Sequence, residues 1–270
     1  MGTSSSFSTP SGGKWTPVKT DISTFLSGGN VSAGQIAAGA LSAAGGLAVP
    51  SDGASSVGGG GSVGGGLAGR GRAGRQTSVS RTISGLGGFG ASVGARGLTE
   101  ALRTLGLEEL RGRPAPEVVA RIAEHLSDDA QGLQKELLTT ALRDAIFDAA
   151  AIEGDLSYEN LDASLQAYLD REGIEGLIEL FLGRYVYDRL WFVIENHTDL
   201  RAETTNSSDL LATAVLNACR AHVRAEMSQY PTNGGLARID WFGRDGERIG
   251  RELVAALEAR ITGTGAEARP

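Results

Sequence analysis

The stretch IEGLIELFLGRYVYDRLWFVI, residues Ile174 to Ile194, decides the fold class of this 270-residue chain. Its apolar side chains fall on most faces of a helix, at Leu177, Ile178, Phe181, Leu182, Tyr185, Val186, Leu190 and Val193. A helix that is apolar on most of its faces lies inside a protein, with other elements packed around it. The sequence therefore predicts a central, buried helix here.

Amphipathic helices are predicted on both sides of this segment, from Leu98 onward. Apolar residues recur there at spacings of three and four, which is typical of helices with one buried face. The clearest sets are Leu98, Leu102 and Leu105; Val118, Val119, Ile122 and Leu126; Leu133, Leu137, Ala141 and Ala145; Leu161, Leu165 and Leu169; Leu211, Val215 and Cys219; and Ile249, Leu253, Leu257 and Ile261. We predict an all-α bundle of about six or seven helices over residues 98–262.

The first 97 residues have a different composition and hold 26 of the 40 glycines. They carry seven Lys and Arg against two Asp (+5), whereas residues 98–270 carry 18 basic against 30 acidic residues (−12). Residues 1–49 are predicted to be a mobile arm with one or two short helices. Residues 50–97 are predicted to be a flexible Gly/Ser/Arg-rich linker, because such a segment buries too little apolar surface to offset its chain entropy. A disordered tail is predicted for residues 263–270.

The overall composition narrows the classes of function. An acidic body repels phosphates, which disfavours nucleic acid as its main partner. Cys219 is the only cysteine, so no intrachain disulfide forms, and we expect a reducing, cytoplasmic setting. The start of the chain lacks the pattern of a secretory signal. The low-polarity run Val31–Val49 is too weakly apolar to span a membrane, so no membrane association is expected.

The best candidate for chemistry in the body is the pair Cys219 and His222, which share one face of a predicted helix. A thiolate–imidazole pair could act as a nucleophile or bind a metal. The face is apolar, however, and a buried cysteine usually acts as a small hydrophobic residue. A metal would need two more ligands, and only His125 and His197 remain as imidazoles. We therefore predict a non-enzymatic protein with no catalytic residues, metal or cofactor.

The amino terminus offers a different kind of site. A small residue after the initiator Met favours removal of that Met, which would leave Gly2 with an unhindered α-amine. The following residues are uncharged and supply hydroxyl groups for recognition, at Thr3, Ser4, Ser5 and Ser6. The same stretch satisfies the Met-Gly-x-x-x-Ser/Thr pattern of N-myristoylation, so a membrane-associated protein acylated at Gly2 is an alternative.

Arginines in the predicted linker form a second candidate contact, for a partner protein or for nucleic acid. They are Arg70, Arg72, Arg75 and Arg81. Their alternative interpretation is a solvated linker kept soluble by its charges. No aromatic residue lies among these arginines, and the next one is Phe89, so the linker lacks side chains that could stack on bases. A nucleic-acid-binding adaptor acting through this linker is kept as an alternative function.

The amino-terminal residues carry a family resemblance. Met1-Gly2-Thr3-Ser4-Ser5-Ser6, then Pro10-Ser11-Gly12-Gly13 and Pro17, resemble the start of the B component of the Qat anti-phage defence system. The order of a Gly/Ser/Arg-rich middle and a helical body from about Leu98 is similar to that family too.

The resemblance implies three partners: a P-loop ATPase, an enzyme similar to a queuosine-pathway synthase, and a TatD-like nuclease. It implies that Gly2 is the substrate for a deazaguanine-type conjugation by the synthase-like partner, which would supply the catalysis. The helical domain would then serve as an assembly module.

Overall fold

The computed structural model describes residues 13–47, 67–151, 156–198, 205–228, 239–261 and 263. Every regular element in these ranges is helical, which confirms the all-α prediction. The elements are α1 (Trp15–Leu26), α2 (Ala33–Ala44), α3 (Leu67–Arg96), α4 (Leu98–Leu105), a short 3-10 helix (Glu108–Leu110), α5 (Ala115–Leu126), α6 (Gly132–Ala150), α7 (Tyr158–Thr198), α8 (Thr205–Met227) and α9 (Arg244–Ile261).

The central helix predicted from Ile174–Ile194 is the second part of α7. Its residues Leu177, Phe181 and Leu190 are completely buried, with α3, α6 and α8 packed around the helix. Gly173 interrupts α7 with a φ of 70° and a ψ of −177°, which lie outside the helical region. The described residues between 98 and 261 thus hold six α-helices, or seven when α7 is divided at its break, as the sequence predicted.

The structure differs from the sequence prediction over the second part of the linker. Residues 67–96 form α3, so the helical body begins about thirty residues earlier than predicted. From Ser78 onward, where its side chains are described, α3 contributes a continuous row to the core. Val79, Ile83, Leu86, Phe89 and Val93 are each at most 1% exposed. Residues 50–66 lie outside the described residues.

Glycines explain both the disagreement and the stability of α3. Each glycine lowers the stability of a helix by about 1 kcal/mol relative to alanine, so the sequence of a Gly-rich stretch does not predict a helix. Here the glycines admit large neighbours: the rings of Trp241 and Phe242 lie where a Cβ on Gly87 and Gly88 would project. On the partner helix α9, a Cβ on Gly250 would come 2.5 Å from the carbonyl oxygen of Ser80. Close packing against α9 therefore compensates for weak helix propensity.

The predicted short helices of the amino-terminal arm are present as α1 and α2, but residues 13–47 pack on the body and are not a mobile arm. Val18 and Ile22 of α1, with Ile36 and Leu41 of α2, are at most 2% exposed. The amino end of α2 is closed by a capping box between Ser32 and Gln35. Few apolar residues are available in this segment, but α1 packs on α2 and α8, and α2 packs on α7, α8 and α9, which is enough to dock the segment.

Polar contacts at Leu47 fix the end of this docked segment. Its buried N–H donates to the carboxylate of Glu258 at 2.7 Å, and its carbonyl accepts from the hydroxyl of Tyr185 at 2.8 Å. That hydroxyl also accepts from the side-chain amide of Gln134 at 2.9 Å. Residues of α6, α7 and α9 therefore hold the chain at the point where it leaves α2.

Gly250→Ala is expected to destabilise the protein by about 1–3 kcal/mol, because the new methyl meets the backbone of Ser80 and forces α3 and α9 apart. Gly94→Ala is the matched control: it lies exposed on α3, with its nearest neighbour 3.8 Å from the new Cβ. There, alanine is expected to stabilise the helix by up to about 1 kcal/mol. Urea denaturation followed by circular dichroism measures both; equal effects would contradict the role of glycine in this contact.

Tyr185→Phe is expected to cost about 1–3 kcal/mol, because it leaves the buried carbonyl of Leu47 without its donor. Hydrogen exchange should speed up most in α2 and at Leu47. Tyr158→Phe is the control, since it removes a hydroxyl that pairs with Thr99, away from α2. Unchanged exchange in α2 of the Tyr185 variant would show that this contact does not hold the segment.

Candidate functional site

The predicted modification site lies ahead of the described residues. Gly2, Thr3, Ser4, Ser5 and Ser6 fall outside them, and the first described residue is Gly13. Eleven residue steps separate Gly2 from Gly13. A fully extended chain covers about 3.5 Å per residue, so Gly2 lies within about 40 Å of Gly13. Helix α1 begins two residues later, at Trp15, and packs on the body. The 40 Å limit is therefore measured from a fixed point on the body.

The surface of α1 beside this point is polar but engaged with its own helix. The hydroxyl of Thr20 donates to the carbonyl of Thr16 at 3.1 Å, and that of Thr24 donates to the carbonyl of Thr20 at 2.8 Å. The hydroxyl of Ser23 donates in the same way to Lys19 at 2.8 Å. These bonds turn the hydroxyls back onto the backbone. The exposed residues of α1 are the uncharged Thr16, Pro17 and Thr20, and the charged Lys19 and Asp21 are half-buried beside them.

The four candidate arginines are placed on α3 and not on a flexible linker. The side chains of Arg70, Arg72 and Arg75 lie outside the described residues. The guanidinium of Arg81 lies 3.3 Å from a carboxylate oxygen of Asp129 and 3.3 Å from one of Glu247. It therefore links α3 to the α5–α6 connection and to α9. Nearly half of its side chain is exposed, yet its charge already has two protein partners.

Cys219 and His222 both lie on α8 facing the core. Cys219 is completely buried, and burial, with a smaller contribution from Asp188, raises the pKa of its thiol to about 12. The thiol is therefore protonated, and not nucleophilic, at neutral pH. Burial and, secondarily, Arg260 lower the pKa of His222, which lies beside Gly34 at the start of α2. Among the described residues, no group of three or more His, Cys, Asp or Glu side chains could hold a metal.

Charges that the sequence analysis did not single out form a cluster between α6, α7 and α8. Asp148 accepts from Arg184 at 3.0 Å and from Arg220 at 2.9 Å, so one carboxylate joins three helices. Nearby, burial and then the charge of Asp144 raise the pKa of Asp188 to about 7, against the opposing effect of Arg184. Asp188 lies inside the apolar run Ile174–Ile194. A carboxylate in a stretch predicted to be buried was the signal in the sequence that could have identified this cluster.

A cleft of about 610 Å³ opens between α4 and the first part of α7. Its central carboxylate, Asp162, accepts from the N–H of Leu98 at 2.8 Å and from the amide of Gln166 at 2.6 Å. Asp162 thus satisfies the amino end of α4. Tyr158 and Thr99, which also line the cleft, pair their hydroxyls at 2.9 Å. These polar groups serve the fold, because each already has a partner in the protein.

In the part of the chain that the structure covers, no helix has both the length and the apolar character needed to cross a membrane.

Asp188→Asn is expected to raise stability at pH 8 by an amount on the order of 2 kcal/mol. The pKa of Asp188 is raised in the folded state, so the stability it contributes is full below its unfolded pKa of about 4 and is lost as pH rises through about 7. The gain in stability from Asp188→Asn should therefore shrink as the pH falls from 7 to 4. Thermal unfolding across this range measures it. Asp148→Asn, which loses two arginine partners, should instead destabilise at pH 8; a gain from both variants would contradict this assignment.

Comparison with known proteins identifies the family of this chain. Searches of curated proteins and of solved structures gave no significant similarity. A family model described as Qat anti-phage system associated protein QatB matches residues 68–238, which is more than half of the chain. The match begins within α3 and runs past the end of α8, so it covers most of the helical body and leaves out α9, α1, α2 and the amino-terminal residues that first suggested the resemblance. Since this match covers more than half of the chain, the chain belongs to the QatB family.

Proposed function

We propose that this component of the Qat anti-phage system is a non-enzymatic protein whose processed amino terminus is a substrate. In this proposal a partner similar to a queuosine-pathway synthase joins a deazaguanine-type group to the α-amine of Gly2. The helical body serves as an assembly module for that enzyme, a P-loop ATPase and a TatD-like nuclease. We place this assembly in the cytoplasm. The role in anti-phage defence follows from the membership of this chain in the QatB family.

The chemistry of the amine supports Gly2 as the nucleophile. An α-amino group has a pKa of about 7.7–8.0 against about 10.4 for a lysine side chain, so at neutral pH its unprotonated fraction is a few hundredfold larger. The neutral nitrogen attacks the carbon of a carboxylate that ATP has activated, and an amide forms. The nucleotide leaves, and the amine gives up a proton. Glycine adds the least steric hindrance to this attack.

The observation that carries the proposal is an unhindered Gly2 amine 13 residue steps ahead of a docked helix. An extended terminus of this kind can be captured in the active site of another protein. In the described body, the thiol of Cys219 is protonated and buried, and the carboxylates of Asp148 and Asp162 are engaged with protein partners. We therefore assign the catalysis to the partner enzyme.

The central experiment is intact-mass and amino-terminal peptide mass spectrometry of the protein purified with its neighbouring genes expressed, beside the protein expressed alone. We expect an added mass on Gly2 only when the neighbours are present. A bare Gly2 in both samples would refute the conjugation and shift attention to the helical body as a binding surface. A fatty-acyl mass would instead support the acylated, membrane-associated alternative.

Gly2→Pro is expected to abolish phage protection, because its secondary, hindered amine cannot form the same amide. The helical body should keep its thermal stability, since the change lies eleven residue steps before Gly13. Lys14→Arg is the control: it removes the nearest side-chain amine and should keep both protection and the added mass on Gly2. Full protection by a stable, amino-terminally tagged protein would contradict the proposal.

A further inference from the structure

We propose that the helical hairpin formed by α1 and α2 is a positioning platform, which holds the tail of Gly2 on a short tether beside a modifying enzyme bound to the body. This inference rests on the proposed function for its substrate, but the platform itself is a property of the described residues. It assigns a role to a segment that lies outside the region matched by the family.

The contacts of α1 show that the start of the tether is fixed. Val18 and Ile22 are 2% and 1% exposed, and Val18 packs against α2 at Gly39, where an added Cβ would lie 3.2 Å from its methyl group. The other side of α2 is buried through Ile36 and Leu41. Because α2 in turn packs on α8, movement of α1 away from the body requires exposure of an apolar face.

The hairpin is also held at its far end. Leu47 is completely buried, and both of its backbone polar groups are bonded to side chains of other helices, Glu258 of α9 and Tyr185 of α7. Releasing this end would break both of these hydrogen bonds and expose the buried side chain of Leu47 to water. Both ends of the hairpin are therefore tied to the body, and α1 cannot act as part of a free arm.

The length of the tether decides how often Gly2 meets an enzyme on the body. With α1 docked, the tether runs 13 residue steps to Trp15; with α1 released, it runs to α2 at Ala33, which is 31 steps. Effective concentration falls roughly as the −3/2 power of tether length. Release of α1 should therefore lower the rate of conjugation by about fourfold, and release of α2 as well should lower it by about elevenfold, since the tether then runs 65 steps to Leu67.

The test uses the double variant Val18→Asp with Ile22→Asp, which places two carboxylates in the buried face of α1. The matched control is Thr20→Asp, which adds the same group on the exposed face. Conjugation of Gly2 is followed by mass spectrometry with the purified partner enzyme at sub-saturating concentration. We expect a fall of about fourfold in the double variant, no change in the control, and hydrogen exchange of α3 to α9 near that of the unmodified sequence. An unchanged rate in the double variant would overturn the platform.

A distance measurement separates this inference from the proposed function. Spin labels are attached to Thr16→Cys, an exposed position on α1, and Ala255→Cys, an exposed position on α9, while Cys219 stays unreactive in the core. With the hairpin docked, the distance between the labels should be narrowly distributed; in the double variant the distribution should broaden. If Gly2 is never conjugated, the proposed function fails while the label distances still decide whether α1 is held on the body. Equal distributions in both proteins would overturn the platform even if conjugation occurs.

Discussion

The close contact between α3 and α9 is the constraint on which the rest of the bundle depends. Gly246 and Gly250 of α9 lack the side chains that would meet Ser84 and Ser80 of α3. Gly87 of α3 in turn makes room for the ring of Trp241, which lies just before α9. The hydroxyl of Ser84 donates to the backbone carbonyl of Trp241, so the contact is fixed by a hydrogen bond as well as by shape. With its other face, α3 packs along the central helix α7. An alanine at Gly250 would therefore disturb α9 and the support of α7 together.

Docking of the amino-terminal hairpin follows from the same core. The hydroxyl of Tyr185, on the buried part of α7, reaches the carbonyl of Leu47, and Glu258 of α9 reaches its N–H. These side chains are correctly placed only when α7 and α9 already pack as observed. The consequence for function is geometric, because Gly2 then extends from a fixed point and stays within about 40 Å of it. A flexible arm of 97 residues would have allowed a far wider search.

The charged residues of the body are used largely between its own helices. Asp148 joins α6 to α7 and α8 through Arg184 and Arg220, and Arg81 joins α3 to α9 through Glu247. An arginine in such contacts is a poor source of free positive charge for phosphate binding, which weakens the nucleic-acid alternative at that position. The thiol of Cys219 is likewise protonated and buried, so it is not a nucleophile at neutral pH.

The sequence by itself determined the helical class, the central position of the Ile174–Ile194 segment and the helices from Leu98 onward, because their apolar spacing is local information. It also singled out Gly2, whose reactivity depends on the residue type and its place in the chain. Only the tertiary structure decided that residues 67–96 are helical, since packing against α9 offsets the low helix propensity of their glycines. The same holds for the docked hairpin and for Asp188, because burial and the pKa shifts it causes arise from contacts between residues far apart in the sequence.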